Sequence, residues 1–329
     1  MKILIVADPV RYAQWLPDLP IVTQAELTYV PRSSGDDVLV AACPDAEVLF
    51  VDATHTVGRG LIARLPQLKM IHSEGVGFEH IDADAARELG VMVCNNAGCN
   101  GDAVAEQAVL LMLMLLRRAL PNDRAIREGR QGTLQADYFM HPLTELADCT
   151  VGLIGFGDTA RATARHLAPF GCPLFYTATH RHSGAEEAET GAQYLPQDQL
   201  LARCDIVSLH CPSNAGTRHL VDEAFLRQMK PTALLINTAR GEVVDDLALR
   251  RALENGTIAG AGLDTLSPEP VPADHPLVAV PPALQDRMVL SPHVGGFTRT
   301  SFRRAHLHMW QDAAALLAGE HPARVVNGL

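Results

Sequence analysis

The chain has 329 residues, 47% hydrophobic and 20% charged, a globular composition long enough for two domains of ordinary size. Its 27 Lys and Arg stand against 38 Asp and Glu, a net charge of -11, with no basic run, so a general binder of nucleic acid or anionic membrane is not expected. The longest apolar run, 108–116, is far below the roughly 18 residues that span a bilayer. Seven scattered cysteines without a CxxC pair suit reduced thiols in the cytoplasm, and the 14 histidines contain no HExxH, so no metal site is expected.

The N-terminus, MKILIVADPV, is too short in its apolar stretch for a signal-peptide core and reads as a first buried strand. Short apolar runs at 2–7, 25–30, 48–53, 69–73 and 91–95 alternate with helical or turn segments, the pattern of a parallel sheet covered on both faces. After the fourth run comes Glu74-Gly75-Val76-Gly77-Phe78, which puts two glycines at a strand's carboxyl end, where α/β sheets bind ligands. A tight turn that needs positive φ is the alternative reading. The cluster Asn95 to Gly101 is turn-forming and reads as a crossing between domains. Asp102 then makes a good N-cap for a helix over 102–120 that Pro121 ends. That helix is apolar almost all round, so it is expected in a domain seam or a subunit interface.

From 121 to 148 the chain is polar and reads as helix then loop. A second alternating region follows, with strands at 150–154, 174–178, 205–211, 233–238, 258–264 and 288–291, and helices at 158–169, 197–203, 222–229 and 245–255. These are two mononucleotide-binding halves of a doubly wound sheet. A last amphipathic helix near 300–317 has no third domain to join and is expected to pack on the first. The chain thus reads as a discontinuous substrate domain, 1–99 with 294–329, into which a dinucleotide-binding domain, 100–293, is inserted.

The inserted domain opens with Gly155-Phe156-Gly157-Asp158-Thr159-Ala160 between a strand and a helix. Gly155 permits the turn, Gly157 lets a pyrophosphate approach the backbone, and Ala160 keeps helix and sheet close. The helix N-terminus at Asp158 and Thr159 supplies amide hydrogens for phosphate. Twenty residues past Gly157, where an acid usually binds the ribose 2′-hydroxyl, the chain has Thr177, and Arg181 follows. A 2′-phosphate would meet no carboxylate there and would be attracted by Arg181, which favours NADP and leaves NAD possible. Three more segments follow strands on the same edge: Asn237-Thr238-Ala239-Arg240-Gly241, Leu263-Asp264-Thr265-Leu266-Ser267-Pro268-Glu269-Pro270 and Ser291-Pro292-His293-Val294-Gly295-Gly296. Together they bring a cation, two acids and a histidine beside the cofactor.

With these motifs, in this order, and with Ala103-Val104-Ala105-Glu106 and Leu209-His210-Cys211-Pro212 between them, the whole chain resembles the D-isomer-specific 2-hydroxyacid dehydrogenases. Glyoxylate/hydroxypyruvate reductases are the members it resembles most. The resemblance implies a Rossmann cofactor domain inserted into a flavodoxin-like substrate domain, and a homodimer. It implies that Arg240 holds the carbonyl and carboxylate of a 2-oxo acid, that His293 is the general acid/base, and that Glu269 is its carboxylate partner. It further implies that Asp264 orients the nicotinamide end, that the amides of Val76 and Gly77 receive the substrate carboxylate, and that Cys211, Pro212, Thr238 and Ala239 line the cofactor. Ala97 stands where the family commonly has proline, Ala160 replaces the third glycine, and Thr177 replaces the acid. Glu269 argues against the formate dehydrogenase branch, which usually has glutamine there.

Physical chemistry agrees with these roles. Hydride addition to a ketone builds negative charge on oxygen, which requires a proton donor there and a cation near the carboxylate. A carboxylate about 4 Å from an imidazolium is worth up to roughly 4 kcal/mol at an effective dielectric of 20, enough to offset burial of the charged ring. The alternative function is a cofactor-sensing protein of the same fold without turnover, akin to the family's corepressors. Those carry extra protein-binding segments, and this chain shows no such tail.

Overall fold

The computed structural model describes residues 1–329 as two compact units, Met1–Asn100 with Phe297–Leu329, and Gly101–Gly296. In the first, five parallel strands, β1 (Lys2–Val6), β2 (Glu26–Val30), β3 (Val48–Val51), β4 (Met70–Ser73) and β5 (Met92–Cys94), stand in the order β2-β1-β3-β4-β5. This is the flavodoxin-like order. Successive side chains of a strand point to opposite faces, so one run feeds two cores. Leu4, Val6, Leu49, Val51 and Ile71 enter one, and Ile3, Ile5, Val48, Phe50 and Met70 enter the other.

The second of these cores is closed by Met309, Trp310 and Ala313 of the C-terminal helix Arg299–Leu317, which does pack on the first sheet. Each large side chain so buried contributes about 1.5–3 kcal/mol. Asp312 of that helix is buried with His72 of β4 (3.1 Å) and accepts from Arg324 (3.0 Å). Beyond it, Asn327 bonds both the Val93 amide (3.0 Å) and the Val91 carbonyl (2.9 Å), which ties the C-terminal segment to the edge strand.

In the second unit, β6 (Val151–Ile154), β7 (Leu174–Thr177), β8 (Ala192–Tyr194), β9 (Ile206–Leu209), β10 (Leu234–Asn237), β11 (Gly260–Leu263) and β12 (Met288–Leu290) form one parallel sheet. Their order is β12-β11-β10-β9-β6-β7-β8, two halves meeting at β6 and β9 with β12 added at one edge. β8 and the helix before it, Gly184–Thr190, are absent from the sequence reading. The strand is three residues long and the region is polar, so periodicity is silent. The usable signal was the capping box, in which Ser183 and Glu186 satisfy each other's backbone amides.

The helix expected over 102–120 is corrected. It runs Gly101–Leu116, with Asp102 in its first turn rather than at its cap. Arg118 is left-handed (φ 49°), and a new helix, Ala119–Arg127, carries Pro121 in its first turn. Amides there have no helical partner, so proline removes nothing and does not mark an end. Ala105, Ala108, Leu111 and Met112 are buried, and within this unit the helix packs on helix Asp158–Leu167 and on β10, β11 and β12. Leu110 of this helix is exposed, and more exposed apolar side chains lie on the two helices that follow, Ala119–Arg127 and Gln131–Met140: Leu120, Ile126, Phe139 and Met140, with Phe139 88% exposed.

Candidate active site

The glycine turn after β6 has the geometry its pattern requires. Gly155 is left-handed (φ 91°), and a Cβ on it would lie 2.9 Å from the carbonyl carbon and oxygen of His210. Its amide donates to the Thr177 carbonyl (2.8 Å), so the turn is locked to β7. Gly157 caps helix Asp158–Leu167, and a Cβ there would meet nothing within 4 Å. That open space above a ten-residue helix N-terminus fits a pyrophosphate. The Phe156 ring turns inward and stacks on Tyr176 at 3.8 Å, so this residue offers its backbone to a ligand. Asp158 pairs with Arg161 (2.7 Å), and the Thr159 carbonyl accepts from Thr163 within the helix (2.9 Å).

Other atoms on this edge lack partners within the chain. Buried polar atoms without a hydrogen bond include Thr238 Oγ1, Thr265 Oγ1 and His210 Nδ1, and buried polar groups in native folds are otherwise paired. Burial pushes His210 down to about 4, so its ring is neutral, and its Nε2 contacts Ser208 (2.9 Å). Burial likewise pushes the Cys211 thiol up to about 11, which makes it an apolar lining group rather than a nucleophile. Ala239 is buried beside Thr238, and Pro212 is exposed.

At the ribose end one expectation changes. Thr177 closes β7 and is buried, with no carboxylate in its place. Arg181, expected to be open to a 2′-phosphate, makes a two-pronged pair with Glu187, Nε and Nη2 each 2.9 Å from a carboxylate oxygen. Glu187 also accepts from Tyr176 (2.9 Å), so any phosphate must share Arg181 with an anchored acid.

On β11, β12 and their loops, His293 Nδ1 lies 2.8 and 3.0 Å from the two oxygens of Glu269. The side chains are 42% and 40% exposed, so water screens the attraction, and exposed pairs contribute about 0–1 kcal/mol. The 4 kcal/mol expected for a shielded pair is therefore too large. What Glu269 does is fix the ring: a carboxylate on Nδ1–H leaves Nε2 without a proton in the neutral tautomer. His293 itself is left-handed (φ 53°), a conformation that costs a non-glycine residue about 1–3 kcal/mol. It is imposed by Asp264, whose carbonyl accepts from the His293 amide (2.7 Å). The buried Asp264 carboxylate accepts from the Val294 amide (3.1 Å), the Gly295 amide (2.9 Å) and the Ser291 hydroxyl (2.5 Å).

Arg240 is half-buried after β10. Asn237 sets its loop, taking the Ala239 amide (3.0 Å) and donating to the Arg240 carbonyl (2.9 Å). Gly241 must be glycine, because a Cβ there would overlap the Leu266 carbonyl group. This close approach seats the Arg240 loop on the backbone that leads to Glu269.

In the first unit, the turn after β4 is organised by side chains. Ser73 donates to the Gly77 carbonyl (2.7 Å) and accepts the Gly75 amide (3.2 Å). Asn95 donates to the Val76 carbonyl (2.8 Å) and Asn96 to those of Ser73 and Glu74 (both 3.0 Å). These bonds fix the carbonyls, and none of them uses the amides of Val76 and Gly77. Glu74 is buried and is bound by Arg11 and by His306 (2.9 Å). Burial alone would raise its carboxyl, but the hydrogen bonds of His306 and Arg11 outweigh burial and hold it below the ordinary glutamate value. Neither Gly75 nor Gly77 has positive φ. Gly75 is required by packing, since a Cβ would lie 2.7 Å from that of Ala53.

The structure adds residues that the sequence did not single out. Ser291 and Gln107 support Asp264, with Gln107 donating to Ser291 (2.9 Å), and Asn237 shapes the Arg240 loop. Ser291 and Asn237 sit inside quoted motifs, SPHVGG and NTARG, whereas Gln107 is 184 residues from its partner and carries no local signal.

Comparison with known proteins gives the family. Residues 109–295 match the family described as D-isomer specific 2-hydroxyacid dehydrogenase, NAD binding domain. A glyoxylate reductase of Thermofilum pendens is 38% identical over 86% of this chain and 82% of that protein. A D-3-phosphoglycerate dehydrogenase of Mycobacterium tuberculosis is 35% identical over 92% of this chain and 55% of the relative. The Aquifex aeolicus D-lactate dehydrogenase complexed with NAD and lactic acid superposes with a TM-score of 0.82 at 26% identity, covering 99% of both chains. The chain therefore belongs to the D-isomer-specific 2-hydroxyacid dehydrogenases, nicotinamide-dependent oxidoreductases that act on the CH–OH group of 2-hydroxy acids.

Proposed function

We propose that this enzyme interconverts a small 2-oxo acid of the glyoxylate or hydroxypyruvate type with the corresponding D-2-hydroxy acid. The observation that carries the reading is the His293–Glu269 contact at 2.8 Å on the same sheet edge as Arg240 and the glycine turn. In the reduction direction, Arg240 draws the carbonyl and carboxylate oxygens into place by charge-assisted hydrogen bonds. His293 Nε2 delivers a proton to the carbonyl oxygen as charge builds there, and Glu269 holds the resulting neutral ring in its productive tautomer. In oxidation His293 takes the hydroxyl proton back. On the first unit we assign the substrate carboxylate to the amides of Val76 and Gly77. The name of the Thermofilum pendens relative supports glyoxylate as a substrate.

A bound nicotinamide dinucleotide supplies or accepts the hydride. We assign its pyrophosphate to Gly155, Phe156, Gly157, Asp158 and Thr159, and its ribose end to Thr177 and Arg181. Cys211, Pro212, Thr238, Ala239 and Asp264 take the rest. NADP is favoured over NAD because no carboxylate stands at Thr177, where one would repel a 2′-phosphate. Exposed Leu120, Ile126, Phe139 and Met140 support a homodimer, which light scattering at micromolar protein tests. Seven buried free thiols support a reducing, cytoplasmic setting.

Following absorbance at 340 nm with NADPH and then NADH against a panel of 2-oxo acids tests both substrate and cofactor. Turnover of glyoxylate or hydroxypyruvate, faster with NADPH, is expected, and loss of about 10²–10⁴-fold in kcat for His293→Ala. Tight cofactor binding without turnover of any 2-oxo acid would sink the reading.

A further inference from the structure

Glu269 is 40% exposed at its side chain, so packing does not fix it, and its alignment with His293 depends on the backbone that carries it. That backbone runs from Thr265 to Asp274 with few tethers. Two hydrogen bonds hold it, and both come from His275. The His275 ring Nε2 lies 3.0 Å from the Ser267 carbonyl, and the His275 amide donates to the Pro272 carbonyl (3.1 Å). The two bonds bracket Glu269 on either side.

The ring is well specified. His275 is 4% exposed, and its Nδ1 accepts the Leu277 amide (3.2 Å), which puts the ring proton on Nε2. That proton faces both the Ser267 carbonyl and the carboxylate of Asp246 (3.0 Å), which stands in the first turn of helix Asp246–Glu254. On its other side the same backbone rests on Gly241, where no side chain fits. Ser267 is thus clamped between the Arg240 loop and the His275–Asp246 pair.

We propose that His275, oriented by Asp246, is a positioning residue for the acid/base pair: by holding the Ser267 carbonyl it sets the reach of Glu269 to His293 Nδ1. The inference rests on the role assigned to Glu269 above. It does not place His275 in contact with substrate or cofactor.

Two substitutions separate the bond to Ser267 from the rest of the site. His275→Asn keeps an oxygen near the Leu277 amide and loses the reach to Ser267. His275→Gln presents an amide N–H at the distance of Nε2. His275→Asn should lower kcat about ten- to a hundredfold, as a misplaced group near the chemistry does, with KM for glyoxylate and the Kd of NADPH within twofold. His275→Gln should recover kcat to within about threefold of the unaltered enzyme, since its amide restores one direct hydrogen bond.

The discriminating experiment places His275→Asn in a Glu269→Gln background. If His275 acts through Glu269, the second substitution adds less than a twofold loss there, the non-additivity of coupled neighbours. A His275→Asn loss of the same factor in both backgrounds, or wild-type kcat for His275→Asn alone, overturns the proposal. Wild-type kcat for Glu269→Gln alone instead overturns the acid/base reading, and the inference with it. If His275→Asn does not fold, Asp246→Asn, which keeps an acceptor and removes the charge, is carried through the same cycle. It should then show a smaller, equally non-additive loss.

Discussion

The chain has two glycine turns in equivalent places, each at the carboxyl end of a parallel strand: Gly75-Val76-Gly77 after β4 and Gly155-Phe156-Gly157 after β6. They are built in opposite ways. The second is a fit of backbone to backbone: a left-handed Gly155 against His210, an open Gly157, and a ten-residue helix whose amides point at the space above. The first has no positive φ and is held by the side chains of Ser73, Asn95 and Asn96, with the buried Glu74 anchored by Arg11 and His306. A helix N-terminus can take a doubly charged pyrophosphate, while a braced turn with two amides suits a single carboxylate. Both turns end a parallel strand, but one feeds a helix N-terminus and the other a network of polar side chains.

The sharpest way to break this comparison is Glu74→Ala. Removing Glu74 from this ion pair should cost the first unit about 3 kcal/mol, the low end for a buried pair because the Arg11 side chain is 34% exposed. Both tryptophans, Trp15 and Trp310, lie in that unit, so urea unfolding followed by tryptophan fluorescence reports it selectively. The loss should also fade in acid. Because the folded Glu74 carboxyl lies below its unfolded value, near 4.3, its stabilisation is full above that pH and disappears as pH falls through the folded value. The unfolding midpoints of the two proteins should therefore converge below about pH 4, and a constant gap would contradict the pairing.

Gly155→Ala should be next, with about 1–3 kcal/mol of backbone strain and overlap with His210, seen by circular dichroism but not by tryptophan fluorescence. Gly157→Ala puts its methyl into open space, so the unliganded protein should unfold as before while NADPH binding weakens roughly five- to 150-fold, the cost of one to three kcal/mol of overpacking. A destabilised Gly157→Ala protein would mean that the turn is closed by protein rather than by ligand. Gly75→Ala should raise KM for glyoxylate and leave NADPH affinity alone, and Ala53→Gly should restore it by removing the 2.7 Å conflict. The smallest change is expected for Arg181→Ala, within about threefold in the NADPH/NADH ratio, since its guanidinium is exposed to screening water and already paired with Glu187. A tenfold fall in that ratio would show that the phosphate displaces Glu187.

Much of this was legible in the chain before any coordinates. Continuous apolar runs marked β1 and β3 of the first sheet, because a strand buried on both faces has few polar positions to interrupt it. Arg240, Glu269 and His293 were legible because each sits within a few residues of a strand's carboxyl end. β8 escaped because three residues cannot display a period. The end of helix Gly101–Leu116 was misplaced because Pro121 carries the same identity whether it breaks a helix or begins one. The pairing of Arg181 was not legible because its partner, Glu187, belongs to the helix that the polar composition hid.

The sequence by itself determined the parallel sheets, the glycine turn and the residue types of the chemistry, since these depend on local periodicity and on side-chain identity at strand ends. Only the tertiary structure decided how those residues are held. Asp264 fixing a left-handed His293, Gln107 reaching Ser291, Gly241 making room for Leu266, and His275 carrying the Glu269 loop are contacts between segments up to 184 residues apart. Such contacts follow from packing, which no local pattern encodes.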